Sequence, residues 1–507
     1  MGIKDILCIK KYIIKSEKVI VPDIPGDKSK RWMYLLLSLL FLLVSALVST
    51  TVVLLLKHEE RHDLTDGTTV AVKTETTTRP VPIFAKNTTI GSRGKAFIVL
   101  FMTNIKTTTK SVYVTSDNGT DLNITTSPGL NPLLKSQIDR LTNIWSNQHI
   151  AIPSSMELES FKKETKAIFF ETSHDVFVIS HDRAYGTTGS TTHIPLNQLS
   201  TKYIVISSPP ETKSQFAVAA ITDNTTITIT FNMETNNPLQ IESESFKIGD
   251  TFNLTLESFE TYQIAHNTDL TGTLIESSAP IAAFSGNDCN SLGNIGACDH
   301  LIEQLPPIES VDDTYIVPPY SDDRDAKIRI TATQNTNITF IIGGVSQTLT
   351  LDAAKSFDTS ITNTQTCFIH SENPVLVTSF GLHSKSSEMG DPSMTIVPGI
   401  NQYLDYYKIV VPQGYVSNFV SIMIDASFRG SVQINGLPIQ ESAIIFEENI
   451  SAGNDTYNVR SITVAEGEVT VSTSNGKGFG LMFSGTKYYE AYGFSGNSLL
   501  LYPNKLE

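Results

Sequence analysis

Apolar and polar residues alternate along most of the chain from about Val81 onward. Asn224 to Phe231 reads NTTITITF, with Ile227, Ile229 and Phe231 on one face and Thr226, Thr228 and Thr230 on the other. That is the pattern of a half-buried strand of β-branched residues. Gly343-Gly344 separates TFII from VSQTLTL, and Asn435-Gly436 separates SVQI from LPI; both are two-residue hairpin signals. One stretch departs from period two. Leu133, Leu134, Ile138, Leu141, Ile144 and Trp145 follow Pro132 at helical spacing, which predicts a helix over 133–145 within an insertion. The rest predicts an all-β fold.

The strands recur in longer units. YIVISSPP begins at Tyr203, YIVPPYSD at Tyr315 and YKIVVPQG at Tyr407. A second signature closes each unit: ESSAPIAAFSG at 276–286, SENPVLVTSFG at 371–381 and, more faintly, ETSHDVFVIS at 171–180. This gives about four repeats of roughly 90–110 residues. Two architectures fit: tandem β-sandwiches, or a propeller-like ring whose blades are half-units. FIVLFMTN at 97–104 reads as a second strand lacking its predecessor, and KYYEAYGF at 487–494 reads as a surplus one. Blade completion by both termini would explain the two, so the ring is preferred.

Trp32 to Leu56 breaks the alternation altogether. It is an uncharged run, long enough to cross a bilayer, and is expected to be a retained signal-anchor helix. Residues 1–31 carry eight Lys or Arg against four acids, while the whole chain is −15. The positive-inside rule then gives a cytosolic tail over 1–31 and a C-terminal ectodomain outside the cell membrane. Residues 57–80 hold seven Thr and no apolar period, as expected of a stalk, and 81–507 is the ectodomain. Eight Asn-x-Ser/Thr sequons, at Asn87, Asn118, Asn123, Asn224, Asn253, Asn337, Asn449 and Asn454, all fall on the outer side. An acidic ectodomain argues against nucleic acid as a partner.

Outside the cell thiols oxidise. Cys289 and Cys298 enclose eight residues with Gly293 and Gly296 among them, and are expected to form a disulfide. A zinc site on Cys289, Cys298 and His300 has unusual spacing and too few ligands. Cys367 is left as a buried thiol or an intermolecular bridge, and Cys8 is cytosolic. His58-Glu59-Glu60-Arg61-His62 matches a zinc-protease pattern but lies in the stalk. Ser180-His181-Asp182 holds three triad residue types on neighbouring positions of one strand, where side chains point apart. Asp299, His300 and Glu303 are better suited to hydrogen bonds that fix a loop than to acid–base work. Asp312, Asp313, Asp322, Asp323 and Asp325 lack EF-hand spacing and fit a solvated acidic loop. No catalytic residue, metal or cofactor is expected.

The segment DLTGTLIESSAPIAAFSGNDCNSLGNIGACDHLIEQLPP, 269–307, resembles the N-terminal domain of the IgG Fc-binding protein family. The resemblance rests on Asp269 to Thr273, Pro280, Ser285-Gly286, Cys289, Cys298-Asp299-His300-Leu301 and Glu303-Gln304-Leu305, and extends across about 81–500. It implies a secreted or surface binding domain linked to mucus and adhesive matrices, and no catalytic residues. The chain is expected to carry an anchor in place of that family's von Willebrand D-type cysteine arrays. The leading expectation is a membrane-anchored recognition or adhesion protein for glycoprotein, mucin or matrix ligands. The alternative is a glycan-active hydrolase with carboxylates converging in a cleft. The expected ligand loops are Gly286 to Pro307, with Asn287, Asp288, Asn290 and Leu292 as contact residues, and His383 to Pro398; the alternative for the first is a loop that only packs against the next unit.

Overall fold

The computed structural model describes residues 92–233, 237–293, 298–453, 455–496 and 498. The tail, the anchor segment, the stalk with its His58–His62 motif, Cys8, Asn87 and Asn454 lie outside the described residues.

The first repeat contains β1 (Gly94–Val99), β2 (Thr109–Ser116), β3 (Thr120–Thr126), helix α1 (Pro132–Ile138), β4 (Arg140–Ile144), β5 (Asn147–Ile152), β6 (Lys163–Glu164), β7 (Ile168–Ala184) and β8 (Thr187–Thr192). The second contains β9 (Ser200–Ile204), β10 (Ser214–Ala220), β11 (Thr225–Thr230), the hairpin β12 (Leu239–Ile241) and β13 (Glu244–Phe246), β14 (Thr251–Leu256), β15 (Thr261–His266), β16 (Leu274–Asn290) and β17 (Asp299–Gln304). The third runs from β18 (Thr314–Val317) through β19 (Arg324–Ala332), β20 (Thr336–Ile342), β21 (Val345–Leu351), β22 (Ser356–Ile361), β23 (Cys367–Ser371) and β24 (Val375–Ser384) to β25 (Ser393–Ile396). The fourth has β26 (Tyr406–Val411), β27 (Ser417–Asp425), β28 (Val432–Ile434), β29 (Leu437–Pro438), β30 (Ile444–Ala452), β31 (Asp455–Thr463), β32 (Gly467–Thr473), β33 (Gly480–Lys487) and β34 (Glu490–Ser495).

All four repeats share one topology. In the third, one sheet is ordered β21-β20-β23-β18 and the other β22-β19-β24-β25. In the second, β16 serves both sheets: residues 274–277 pair with β11, and 281–287 pair with β10. In the first, β7 does the same: residues 168–172 pair with β3, and 176–183 with β2. The fourth sets β29-β28-β32-β26 against β30-β31-β27-β33-β34. Apolar residues of both sheets meet in one core per repeat, as Ile316, Ile328, Phe340 and Val377 do in the third. Each repeat is therefore a β-sandwich; its corner is one strand bending between sheets in the first two repeats, and the step from β23 to β24 or from β32 to β33 in the last two.

The recurring signatures mark that corner. Tyr203, Tyr315 and Tyr407 are fully buried. Each phenol donates to the carbonyl where the chain changes sheets, at Ile281 (2.7 Å), Val375 (2.6 Å) and Phe479 (2.5 Å). Each accepts from the backbone N–H three residues upstream, at Ser200 (2.9 Å), Asp312 (2.9 Å) and Leu404 (3.0 Å). Pro280 and Pro374 precede two of the acceptor residues, at the bend where a ladder hydrogen bond is absent.

Three expectations are corrected. The predicted helix, N-capped by Asn131, stops at Ile138, and Arg140–Ile144 form an edge strand; Leu141 and Trp145, just past its end, are exposed to solvent. FIVLFMTN overlaps β1, the regular first strand, and KYYEAYGF overlaps β34, the regular last one. The propeller of half-unit blades is replaced by sandwiches, because among the described residues no sheet of four or more strands follows chain order as a blade meander would. The sandwiches nevertheless form a ring. The last strands of the repeats pack in a closed circuit, β8 on β17, β17 on β25, β25 on β34 and β34 on β8.

Candidate functional site

The 285–307 segment folds inward. Gly286 has φ +154°, and a Cβ there would stand 1.8 Å from the Leu301 carbonyl oxygen, so β16 and β17 approach only through a glycine. Asn287 is fully buried; its amide accepts from the Ser208 N–H (3.0 Å) and donates to the Ser208 carbonyl (2.9 Å), like a strand partner. Asp288 accepts from the N–H groups of Lys213 and Cys289. Asn290 donates to the Pro209 carbonyl and accepts from the Leu292 N–H, and Leu292 packs on the core of the second sandwich. The four expected contact residues are thus occupied within the second sandwich. Cys289 and Cys298 are joined by a disulfide with 5.3 Å between their Cα atoms. Cys367 is a buried thiol, its pKa pushed up to about 12 by burial.

Beyond the disulfide, β17 is the hub of the ring. Asp299 accepts from the Thr188 N–H on β8 and the Ala491 N–H on β34, each at 2.8 Å. Glu303 accepts from the Thr191 hydroxyl on β8 (2.7 Å) and the Ile396 N–H on β25 (3.1 Å). Two carboxylates of one strand therefore tie together four sandwiches. His300 lies 3.0 Å from Asp182 of the first sandwich, and Gln304 accepts from the Ile194 N–H at 3.0 Å. Asp269 of the DLTGT motif binds Arg329 of the third sandwich at 2.7 Å, and Arg329 also reaches Asp358. A Cβ at Gly272 of that motif (φ +87°) would strike Asn232 and the Ala354 carbonyl.

Burial sets the protonation of the hub. It pushes Glu303 up to about 8 against the two hydrogen bonds that favour the charge. It raises Asp299 well above the carboxylate range, with the Asp391 charge adding to the effect. Burial would raise Asp182 too, but His300, Lys110 and the Asn104 amide together hold it down at about 2.

The remaining candidates are dispersed. His181 faces Ser190 (2.7 Å) and Tyr415, whereas Asp182 faces His300, so Ser180-His181-Asp182 do not converge. Asp312 accepts from Asn401, and Asp323 and Asp325 pair with Lys385. Among the described residues no group of three or more His, Cys, Asp or Glu is arranged to hold a metal ion. Asn118, Asn224, Asn253, Asn337 and Asn449 are exposed, and Asn123 is half-buried. Sequence reasoning missed Thr188, Thr191, Ile396 and Ala491. Three of these, Thr188, Ile396 and Ala491, reach the carboxyls through backbone N–H groups, which leave no mark in side-chain chemistry.

One open depression stands away from the hub. A groove of about 590 Å³ runs beside β14, the free edge of its sheet. Phe161, Phe246, Phe252 and Tyr262 line it, with Glu242 and Glu244 at the β12–β13 turn. Phe252 contacts Phe246 and Tyr262 at 5.6 and 5.7 Å between ring centroids.

The comparisons with known proteins bear on this frame. The model of the IgGFc binding protein family matches residues 189–485, from β8 to β33. The chain belongs to that family. It is 25% identical to the human IgGFc-binding protein over 221 residues, 42% of this chain, and spans 4% of that protein's length. Two solved structures cover much of the chain: a point mutant of the Streptococcus pyogenes major pilin (8% identity, 80% of this chain and 98% of that one, TM-score 0.14) and a Ca2+-stabilized, ice-binding adhesin of an Antarctic bacterium (13%, 81% and 99%, TM-score 0.10). Scores this low carry no argument about fold.

Proposed function

We propose that the protein is a membrane-anchored extracellular recognition protein for glycoprotein, mucin or matrix ligands. The observation that carries the site is the groove beside β14. Its volume and its mixture of aromatic rings, carboxylates and hydroxyls are those of a ligand cleft. Family membership supports a binding role, and the relative's printed name makes an antibody Fc region one glycoprotein worth testing. The run Trp32–Leu56 supports anchoring with the C-terminus outside. The hydrolase alternative finds less support. The carboxyls that cluster, Asp299, Asp391 and Glu490, are buried in the hub, and Glu242 and Glu244 share one turn instead of facing each other.

The test is an array of glycans, mucins, matrix proteins and Fc fragments probed with soluble 81–507, wild type and Glu242→Ala/Glu244→Ala. Capture by the wild type that falls at least tenfold in the variant is expected; equal capture by both moves the site elsewhere. Protease added to intact cells should remove a C-terminal tag and spare an N-terminal one. The reverse result overturns the topology.

A further inference from the structure

The outward face of the first sandwich carries its most exposed large apolar side chains. On edge strand β4, Leu141 is 75% exposed, and Trp145, just beyond the strand's end, is 82% exposed. A soluble protein rarely leaves such a pair on a free sheet edge, since it invites pairing with another chain. The register supplies an occupant. Leu141 is the cross-strand partner of Asn123, in the sequon Asn123-Ile124-Thr125. Directly paired residues project on the same face, so the first sugar on Asn123 would begin beside Leu141. Four positions away, the Trp145 ring lies 3.2 Å from where a Cβ on Gly119 would stand. Gly119 is the middle residue of a second sequon, Asn118-Gly119-Thr120, whose Asn118 is exposed. A side chain at Gly119 would push the indole outward by a few tenths of an ångström. Both sequons of the described part of this sandwich therefore flank its exposed apolar pair.

We propose that Asn118 and Asn123 carry N-glycans that lie over Trp145 and Leu141, so that carbohydrate attached to the chain covers the β4 edge. Apolar faces of pyranose rings stack on indole and aliphatic side chains, and hydroxyls on the opposite faces stay in water. The inference rests on the reading that this part of the chain is outside the cell.

The chain has two tryptophans, Trp32 and Trp145, so its fluorescence is read with a Trp145→Phe control that isolates the Trp32 background. Full-length protein from a glycosylating host is digested for peptide mass spectrometry, and a folded aliquot is treated with an amidase that removes whole N-glycans. Both asparagines should be occupied, and removal should raise acrylamide quenching of Trp145 about twofold, because most of the ring area is then returned to water. Asn118→Gln/Asn123→Gln should match the enzyme-treated sample; if it does not fold, the enzyme arm decides. Glycans found elsewhere with Asn118 and Asn123 both empty overturn the proposal and leave the topology standing. No glycan at any sequon overturns the topology and the proposal together. Occupied sites with unchanged quenching, or a Trp145 already protected in a dimer whether or not glycans are present, also overturn it.

Discussion

At the scale of residues, Glu303 shows how burial replaces charge with a hydrogen-bond anchor. Its carboxyl is held at about 8, above the usual value near 4.5. Between these values the unfolded chain has released this proton and the folded chain has kept it. The folded state binds more protons there, so the group's contribution to stability is complete below about pH 4.5 and is lost as pH rises toward 8. Glu303→Gln removes the titration and keeps the shape. Its carbonyl still accepts from the Ile396 N–H, and the Thr191 hydroxyl can turn to accept from the amide. Thermal or denaturant unfolding across pH 5 to 8.5 should therefore decline less steeply in the variant, with a gain at pH 8.5 of a few kcal/mol at most, since one unit of pKa shift is about 1.4 kcal/mol. Parallel pH profiles for the two proteins would show that Glu303 is ionised in the native hub.

At the scale of elements, the tyrosine corner makes a sharper prediction. Tyr315→Phe leaves the ring packed but strands the Val375 carbonyl and the Asp312 N–H, both buried. Loss of about 1–3 kcal/mol is expected, read as a lower denaturant midpoint with an unchanged slope. Much of this level was legible in the sequence. Alternation gave the strands, Gly343-Gly344 and Asn435-Gly436 occupy their hairpin turns at positive φ, and the spacing of Tyr203, Tyr315 and Tyr407 gave the repeats. The crossing of strands between sheets was not legible, because β16 and β7 read as uninterrupted runs and the switch lies in pairing partners. QFAVAAI hid another fact. Its residues are buried on both faces, since Ala217 and Ala219 pack on the first sandwich while Phe216 and Val218 face their own core. Leu133 to Trp145 misled because its spacing also permits an alternating strand after a short helix, with Leu141 and Trp145 turned outward.

At the scale of the whole molecule, the signature that reveals the family marks joints. Asp269 and Gly272 seat the third sandwich on the second; Asp299 reaches the first and fourth; Glu303 reaches the first and third. The residues of 269–307 thus hold the ring closed, while the open groove is lined by none of them. Closure also sets how the molecule should unfold. A string of sandwiches would melt in steps, one core at a time, whereas a ring couples each to two neighbours. The last joint runs from the fourth sandwich back to the first: Arg183 binds Glu490 at 2.5 Å, and the Thr192 hydroxyl donates to the Ser495 carbonyl at 2.7 Å. Calorimetry on the intact protein should show one dominant transition whose van't Hoff and calorimetric enthalpies agree. Asp299→Asn turns one acceptor into a donor that faces a backbone N–H of β8 or β34, opening a single joint without removing side-chain volume. The expected result is a broadened or split transition, with part of the enthalpy released at lower temperature. A wild type that already melts in several separate steps would mean that the sandwiches are energetically independent and that the circuit of last strands contributes contact without cooperativity.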